Sequence, residues 1–501
     1  MIAGKMCSKK GSIVDTVIGL ASILCLAMLI HVGSLTAAMA AQSTGGVNWL
    51  DTLQYQKPQF IPLTVPDEAT CPNKYYVNYS GGSGSTCSQS SPCASVQAVC
   101  GKAGTTGGPA YIYVKGNGYF SITGTCYGSA GNEIVIKPWP GDSSVSLFTG
   151  QSNTKPNIIG TNDGGALNVH HIIVDGGPNL QFDFIGTGTD LNNSETFNVG
   201  ASNITVARVR IRMPNNVGPG MGLCPTYGTD WVCDSVKIIN NEFYDGMHVA
   251  QGSDNEQNYG IYAGTDGPCN SGVGQITNMY IQNNIFRNLG SLGIQIEPRK
   301  SANNTIISGN AFHDLGQLSC GSKWHCRPAI SIADSCGGNI TNTYIYNNLM
   351  WNLASSGVWA WGAATDYIYN NSIYNYGIGS PMDTPSQAIN GYNSSYRATA
   401  ENNIIYAPNG TAAMGGGTYT QSNNICSSGC ASAWNTNTFL STDPNNPNFL
   451  KIGLNSNARD AGAVISIVTT DYMGASRGST YDIGSFEYGI APMPPALVSV
   501  Q

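Results

Sequence analysis

Ile281-Gln282-Asn283-Asn284-Ile285-Phe286 and, further along, Tyr344-Ile345-Tyr346-Asn347-Asn348-Leu349-Met350 are two copies of one phrase. An apolar residue and a spacer are followed by two residues, usually both asparagine, and then by an apolar pair. The phrase returns as Ile238 with Asn240-Asn241 and Phe243, Ile307 with Gly309-Asn310 and Phe312, Ile368 with Asn370-Asn371, Asn402-Asn403-Ile404 and Asn423-Asn424-Ile425. Its second asparagines stand at 241, 284, 310, 348, 371, 403 and 424, separated by 43, 26, 38, 23, 32 and 21 residues. A period of ~20 to 26 residues with strand-length alternation is the mark of a β-solenoid, in which each coil buries its side chains against its neighbours. The longer gaps are coils with insertions, or two coils. Tyr344-Ile345-Tyr346 and Gly293-Ile294-Gln295-Ile296 carry the alternation itself. Asparagine suits the corner between two strands because it tolerates left-handed backbone angles, and stacked asparagine amides hydrogen-bond along the solenoid axis. A leucine-rich repeat would show a leucine framework, and a β-sandwich would show turns every ~8 to 12 residues without this register.

The 501 residues would ordinarily suggest about three domains, but a repeat chain breaks that rule. Charged residues make up only 10% and glycines number 62, which favours an all-β chain over one built of surface helices. A net charge of −7 argues against nucleic acid as a partner and leaves neutral or calcium-bridged acidic glycans. Gly82-Ser83-Gly84 is too short for a phosphate loop, so no nucleotide cofactor is expected. H-E-x-x-H is also absent.

Lys5, Lys9 and Lys10 precede an apolar run from Thr16 to Val32 and then Ala38-Met39-Ala40, the layout of a secretory signal peptide over residues 1–40. The competing reading is an uncleaved anchor, the one route to a membrane; otherwise the protein is secreted, extracellular or at the cell surface. Thirteen of the 15 cysteines follow that segment. The close pairs Cys87/Cys93, Cys224/Cys233, Cys320/Cys326 and Cys426/Cys430, with Cys100 nearby, read as disulfides pinning loops. The odd count leaves a thiol over. Zinc at Cys320, His325, Cys326 and Cys336 is the rival reading, without a C-x-x-C pair to support it.

Residues 75–488 resemble the secreted right-handed parallel β-helix proteins of the pectate-lyase-like superfamily. Tyr75-Tyr76-Val77 and Ser91-Pro92-Cys93-Ala94-Ser95-Val96 are similar to their N-terminal cap. Gly131-Asn132-Glu133-Ile134-Val135-Ile136 looks like the strand that opens their solenoid, and Asp482-Ile483-Gly484-Ser485-Phe486 like a closing segment. The organisation expected is a signal (1–40), an N-terminal extension (41–74), a parallel β-helix (75–440), a C-terminal capping segment (441–490) and a tail (491–501). The fold is the resemblance's secure implication; the activity is not, since one superfold hosts lyases, hydrolases and adhesins.

Function in a solenoid sits in the insertions. The long ones run over about Pro214–Val232, Ala250–Gly274 and Leu315–Ser335. Ile296-Glu297-Pro298-Arg299-Lys300-Ser301-Ala302-Asn303-Asn304 looks like the Lys-Ser-x-x-Asn stretch of β-helix alginate and chondroitin lyases. That resemblance implies Lys300 as base, Arg299 beside it, Arg327 on the leaving oxygen or the carboxylate, and Glu297 holding Ca²⁺. The chemistry fits, because removing the proton α to a uronate carboxylate needs a base and a cation on the developing enolate. Read without it, Arg299 and Lys300 are solvated corner charges. Asp254, Glu256 and Asp266, with Asp245 nearby, are oxygen donors for a calcium site or plain loop acids. His313-Asp314 is a candidate general acid or a structural pair. His248, Tyr262, Trp359 and Trp361 are the expected substrate contacts, the tryptophans as stacking platforms for sugar rings. Two functions follow: a lyase cleaving an acidic glycan by β-elimination, with a glycoside hydrolase as a weaker enzymatic option, or a non-catalytic glycan-binding, adhesive or structural β-helix.

Overall fold

The computed structural model describes residues 48–489 except 59, 103, 149–156, 161–167, 187–194, 215–217, 225–231, 247–257, 265–274, 299, 319–326, 335–338, 363–364, 380–386, 393 and 409–411. They belong to one compact unit, 47–496. Apart from a four-residue helix, Val96–Val99, capped by Ser95, the regular structure is β. No helix among the described residues is long and apolar enough to cross a membrane.

Three stacked sheets of 13, 11 and 10 strands make up the chain's right-handed parallel β-helix. The chain visits the first, second and third sheet in turn. One bare coil reads Gln275–Gln282 in the first sheet, Ile285–Leu289 in the second and Ile294–Glu297 in the third, before Ser301–Ser308 returns to the first. Every named strand pairing is parallel, so each backbone group finds its partner in the coil above or below. Inward residues are apolar and fully buried, Ile261, Ile294, Ile330 and Val358 forming one file in the third sheet. Phe243, Phe286 and Phe312 stack inside at 4.7 and 4.8 Å between ring centroids. Gly260 and Gly293 leave room for these rings, since a Cβ at either would stand 2.6 or 2.7 Å from a phenylalanine Cδ1.

The corner from first to second sheet is made by the repeated asparagines. The first member of each pair, Asn240, Asn283, Asn347, Asn370, Asn402 and Asn423, has φ between 50° and 59°, and Gly309 fills the same place at 66°. The second members point inward as an uninterrupted ladder. Asn241 N–H donates to Asn284 Oδ1 at 2.9 Å, Asn284 to Asn310 at 2.9 Å, Asn310 to Asn348 at 3.0 Å, Asn348 to Asn371 at 3.0 Å, Asn371 to Asn403 at 3.0 Å and Asn403 to Asn424 at 2.9 Å. Each side-chain Nδ2 also reaches a strand carbonyl, as Asn284 does to Ile238 at 2.8 Å. A buried amide with every hydrogen-bonding group satisfied specifies the register of its coil.

Two segments cover the solenoid's flanks. A strap, residues 48–63, crosses the outer face of the second sheet: Leu50 N–H meets Glu242 Oε2 at 2.8 Å, and Ile61 exchanges two hydrogen bonds with the Asn240 side chain. Residues 63–73 continue over the first coils of the first sheet, where Tyr113 hydroxyl donates to Glu68 at 2.7 Å. The C-terminal segment from Thr438 covers the later coils, with Arg477 donating to Asn347 Oδ1 at 2.9 Å and Phe449 edge-on to Trp351. Disulfides join Cys87–Cys93, Cys100–Cys126, Cys224–Cys233 and Cys426–Cys430, while Cys71 is a buried free thiol.

Candidate functional site

Each long insertion foreseen in the sequence contains a third-sheet strand: Met221–Leu223, Ile261–Gly264 and Ile330–Ala333. What reads as one insertion is therefore two loops, one on each margin of the third sheet. The Asn-Asn corner, fixed by the ladder, takes none. The strap and the C-terminal segment lie on the other two sheets, so neither covers the outer face of the third sheet, where Tyr262, Glu297 and Trp361 are half-buried and Tyr392 is exposed.

Along that face the register aligns Tyr262, Gln295, Ser331, Trp359 and Asn390 in one file. Two residues further on, Glu297 and Trp361 occupy the next outward positions of their strands. Glu297 is half-buried, and its Oε2 accepts from Gln295 Nε2 at 2.7 Å and Tyr262 hydroxyl at 3.3 Å. Trp361 is half-buried against Tyr392, ring centroids 5.9 Å apart and nearly perpendicular. Trp359 is 3% exposed, so it supports the platform from beneath. Tyr392, 51% exposed, is the member that the sequence did not single out. Two residues after Asn390, it follows the same outward alternation.

Lys300 is half-buried and follows Ile294–Glu297 by three residues, on the margin toward the first sheet. Arg327 precedes Ile330–Ala333 by three residues, on the opposite margin. A strand of that length sets the two margins roughly 13 Å apart before the flanking turns are added. Arg327 is also 7% exposed, and its side chain packs against the turn at Gly316 (φ 73°), where an added Cβ would sit 2.8 Å from the arginine Cβ. The structure thus brings Lys300 and Glu297 to one margin and keeps Arg327 apart from them. His248, Asp254, Glu256, Asp266 and Arg299 lie outside the described residues, as do Cys320, His325, Cys326 and Cys336.

His313 lies elsewhere, in the second sheet under the strap. It donates from Nδ1 to Asp314 at 2.7 Å and from Nε2 to Asp51 at 3.0 Å, and its ring stacks on Trp351 at 4.5 Å. Burial disfavours the imidazolium, but hydrogen bonds and charge from Asp314 and Asp51 outweigh it and raise the pKa. Burial likewise opposes ionisation of Asp51, yet His313 and Lys57 hold its carboxyl well below the usual range. Lys57, 3.3 Å from Asp51, is drawn down to about 8, chiefly by its own burial.

Calcium requires ~6 to 8 oxygen ligands. Among the described residues no three His, Cys, Asp or Glu side chains converge; the third-sheet face carries Glu297 and, near its first coils, Glu195, which accepts from Asn198 Nδ2 at 3.4 Å. These alone do not make a calcium site.

No family model matches the sequence, and no curated protein is significantly similar to it. Among solved structures, a pectate lyase, Pel9A, aligns over 83% of this chain and 97% of its own length, with a TM-score of 0.51 and 14% identity. A rhamnogalacturonan lyase aligns over 76% and 97%, with a TM-score of 0.50 and 15% identity. At such identities the likeness is one of fold.

Proposed function

We propose that this chain is an extracellular, glycan-active β-helix protein that lays an acidic polysaccharide along the outer face of the third sheet and cleaves it by β-elimination. The observation that carries the reading is the outward file of the third sheet, buried at Gln295, Ser331 and Trp359 but half-open at Tyr262, Glu297 and Trp361 and exposed at Tyr392. That face joins a carboxylate and amide file, Tyr262, Gln295 and Glu297, to an aromatic platform, Trp361 and Tyr392. Aromatic rings receive the apolar faces of pyranoses, and amides and carboxylates receive their hydroxyls. The two solved neighbours are named a pectate lyase and a rhamnogalacturonan lyase, which is consistent with this reading.

In the reaction Lys300 takes the proton α to a uronate carboxylate, the double bond forms, and the glycosidic oxygen departs, taking a proton from water to leave as a hydroxyl. The carboxylate's charge must be neutralised during proton removal, and Arg299 is the neighbouring cation in sequence. Were calcium bound, Glu297 with Asp254, Glu256 or Asp266 would be the residues to hold it, and it would supply positive charge for the substrate carboxylate; no step here depends on it. Incubation with pectate, rhamnogalacturonan and alginate, followed by ultraviolet absorbance of the unsaturated product, is the test. The expected result is absorbance that rises with one of them and vanishes in Lys300→Ala. Full activity in that variant, or no product from any glycan, sinks the catalytic reading.

The buried position of Arg327, across the sheet from Lys300, favours a second reading: binding without turnover. It expects glycan retention that depends on Trp361 and Tyr392, with no unsaturated product.

A further inference from the structure

A cavity of about 370 Å³ opens on the outer face of the first sheet, away from the face just described. Its floor is Thr205, Lys237, Tyr280 and Gln282 with Ile173 and Ile239, and its wall is the strap at Ile61–Thr64. The wall is fixed at both ends. Ile61 N–H donates to Asn240 Oδ1 at 3.1 Å and Asn240 Nδ2 returns a bond to the Ile61 carbonyl at 2.9 Å. Beside it Phe60 lies over the Arg208 guanidinium, 5.1 Å away. At the other end Leu63 packs on the cluster that contains Tyr111, Val135 and Ile173.

The chemistry of the floor is one-sided. Lys237 is exposed and forms no ion pair among the described residues, and no acidic side chain lines the cavity. Tyr280 is its register partner in the next coil, with Lys237 Nζ 5.9 Å from the ring centroid. A pyranose laid on the Tyr280 ring therefore carries a ring substituent to Lys237 one coil away, ~4.8 Å along the solenoid axis. Thr205 hydroxyl and Oε1 of Gln282, whose Nε2 donates to Ser308 Oγ at 2.9 Å, are the groups for sugar hydroxyls, and the isoleucines offer the apolar ring face. The volume is within the range of small-molecule sites, ~300 to 1,000 Å³.

We propose that this cavity is a second glycan site, distinct from the third-sheet face, and that it holds one uronic-acid residue with its carboxylate on Lys237 and its ring on Tyr280. None of its residues belongs to the third-sheet face. A long acidic glycan anchored there stays at high local concentration near the rest of the molecule.

Isothermal titration of the full chain with trigalacturonate, trimannuronate and the neutral probe maltotriose decides the matter. With an acidic probe, Lys237→Glu and Tyr280→Ala should each lose one site or weaken it at least about tenfold. Maltotriose should bind that site at least about tenfold more weakly. Lys237 is exposed, so its replacement leaves the fold intact, which circular dichroism checks. Trp361→Ala with Tyr392→Ala should remove the other site alone. If the third-sheet reading is wrong, one site remains in the native chain and Lys237→Glu still abolishes it. No Lys237-dependent binding with either acidic probe, or equal affinity for maltotriose, overturns the proposal.

Discussion

Trp351 and Trp361 both point outward from their sheets, ten residues apart in one coil, yet their surroundings have nothing in common. Trp351, in the second sheet, is 1% exposed: Tyr55 from the strap meets it edge-on at 4.6 Å, His313 stacks on it at 4.5 Å, and Phe449 from the C-terminal segment closes the other side at 5.1 Å. Trp361, in the third sheet, meets Trp359 and Tyr392 and keeps part of its ring in solvent. A solenoid offers each outward residue the same backbone position, so what covers the sheet decides whether an aromatic side chain serves stability or contact. The second sheet is sealed by two terminal segments, and the third is left to its insertions.

The sharpest break of that contrast is Trp351→Ala. It should destabilise the fold by about 4 kcal/mol, since a large ring packed on all sides leaves a cavity that its neighbours only partly fill. Denaturant midpoints measure it. A loss below ~1 kcal/mol would mean that the strap does not seal the second sheet.

Asp51→Ala comes next. It leaves Lys57 without its carboxylate and the His313 imidazolium with Asp314 alone beneath the strap, at a cost of about 3 kcal/mol. The loss should be local as well as global, with the strap between Asn48 and Leu63 becoming open to limited proteolysis while the asparagine ladder stays protected from hydrogen exchange. Equal protection of the strap in variant and native protein would refute its dependence on this pair.

The same pair sets a pH dependence. His313 has a raised pKa in the folded state, so its contribution is complete below the unfolded value of ~6.5 and fades as pH climbs through the folded value. Asp51 and Asp314 are lowered, so theirs is complete above ~4 and fades as pH falls through their folded values. Stability from this cluster therefore peaks between about pH 4 and 6.5 and declines on both sides, by roughly 2 kcal/mol on the acid limb. In Asp51→Asn with His313→Gln both limbs should flatten. Melting temperatures across pH read the effect, and unchanged limbs would assign it to other groups, Glu487 and Asp366 among them, whose burial lifts each to about 7.

What the sequence made legible follows the same division. The ladder was readable because its demand is local and repeats: one residue that accepts positive φ, then one amide that satisfies its neighbours. Asn-Asn meets both needs, and Gly309-Asn310 meets them with glycine. The second sheet's cover was not readable, because the partnership of Asp51 with His313 spans 262 residues and no spacing reports it. His313-Asp314 reads as a candidate general acid or a structural pair, and it sits buried between Asp51 and Trp351. Arg327 matches a family's chemistry by residue type, but its margin of the sheet depends on how many residues separate it from the next strand. Tyr392 was missed for want of any motif, although the outward alternation from Asn390 was available.

The smallest expected effect on stability is also the one that most sharpens the contrast. Trp361→Ala removes a ring that is already partly in water and rests on Tyr392 and Trp359, so the fold should lose less than ~1 kcal/mol, against about 4 for Trp351→Ala. Its effect on glycan retention should run the other way. A ring at the centre of a contact surface commonly contributes enough that its loss weakens binding about tenfold, whereas the Trp351 variant, assayed where it remains folded, should bind as the native chain does. Affinity electrophoresis through gels containing pectate or alginate compares the two directly. If Trp361→Ala proves costly to stability and silent in retention, the third-sheet face is sealed as the second is, and the site must be sought elsewhere.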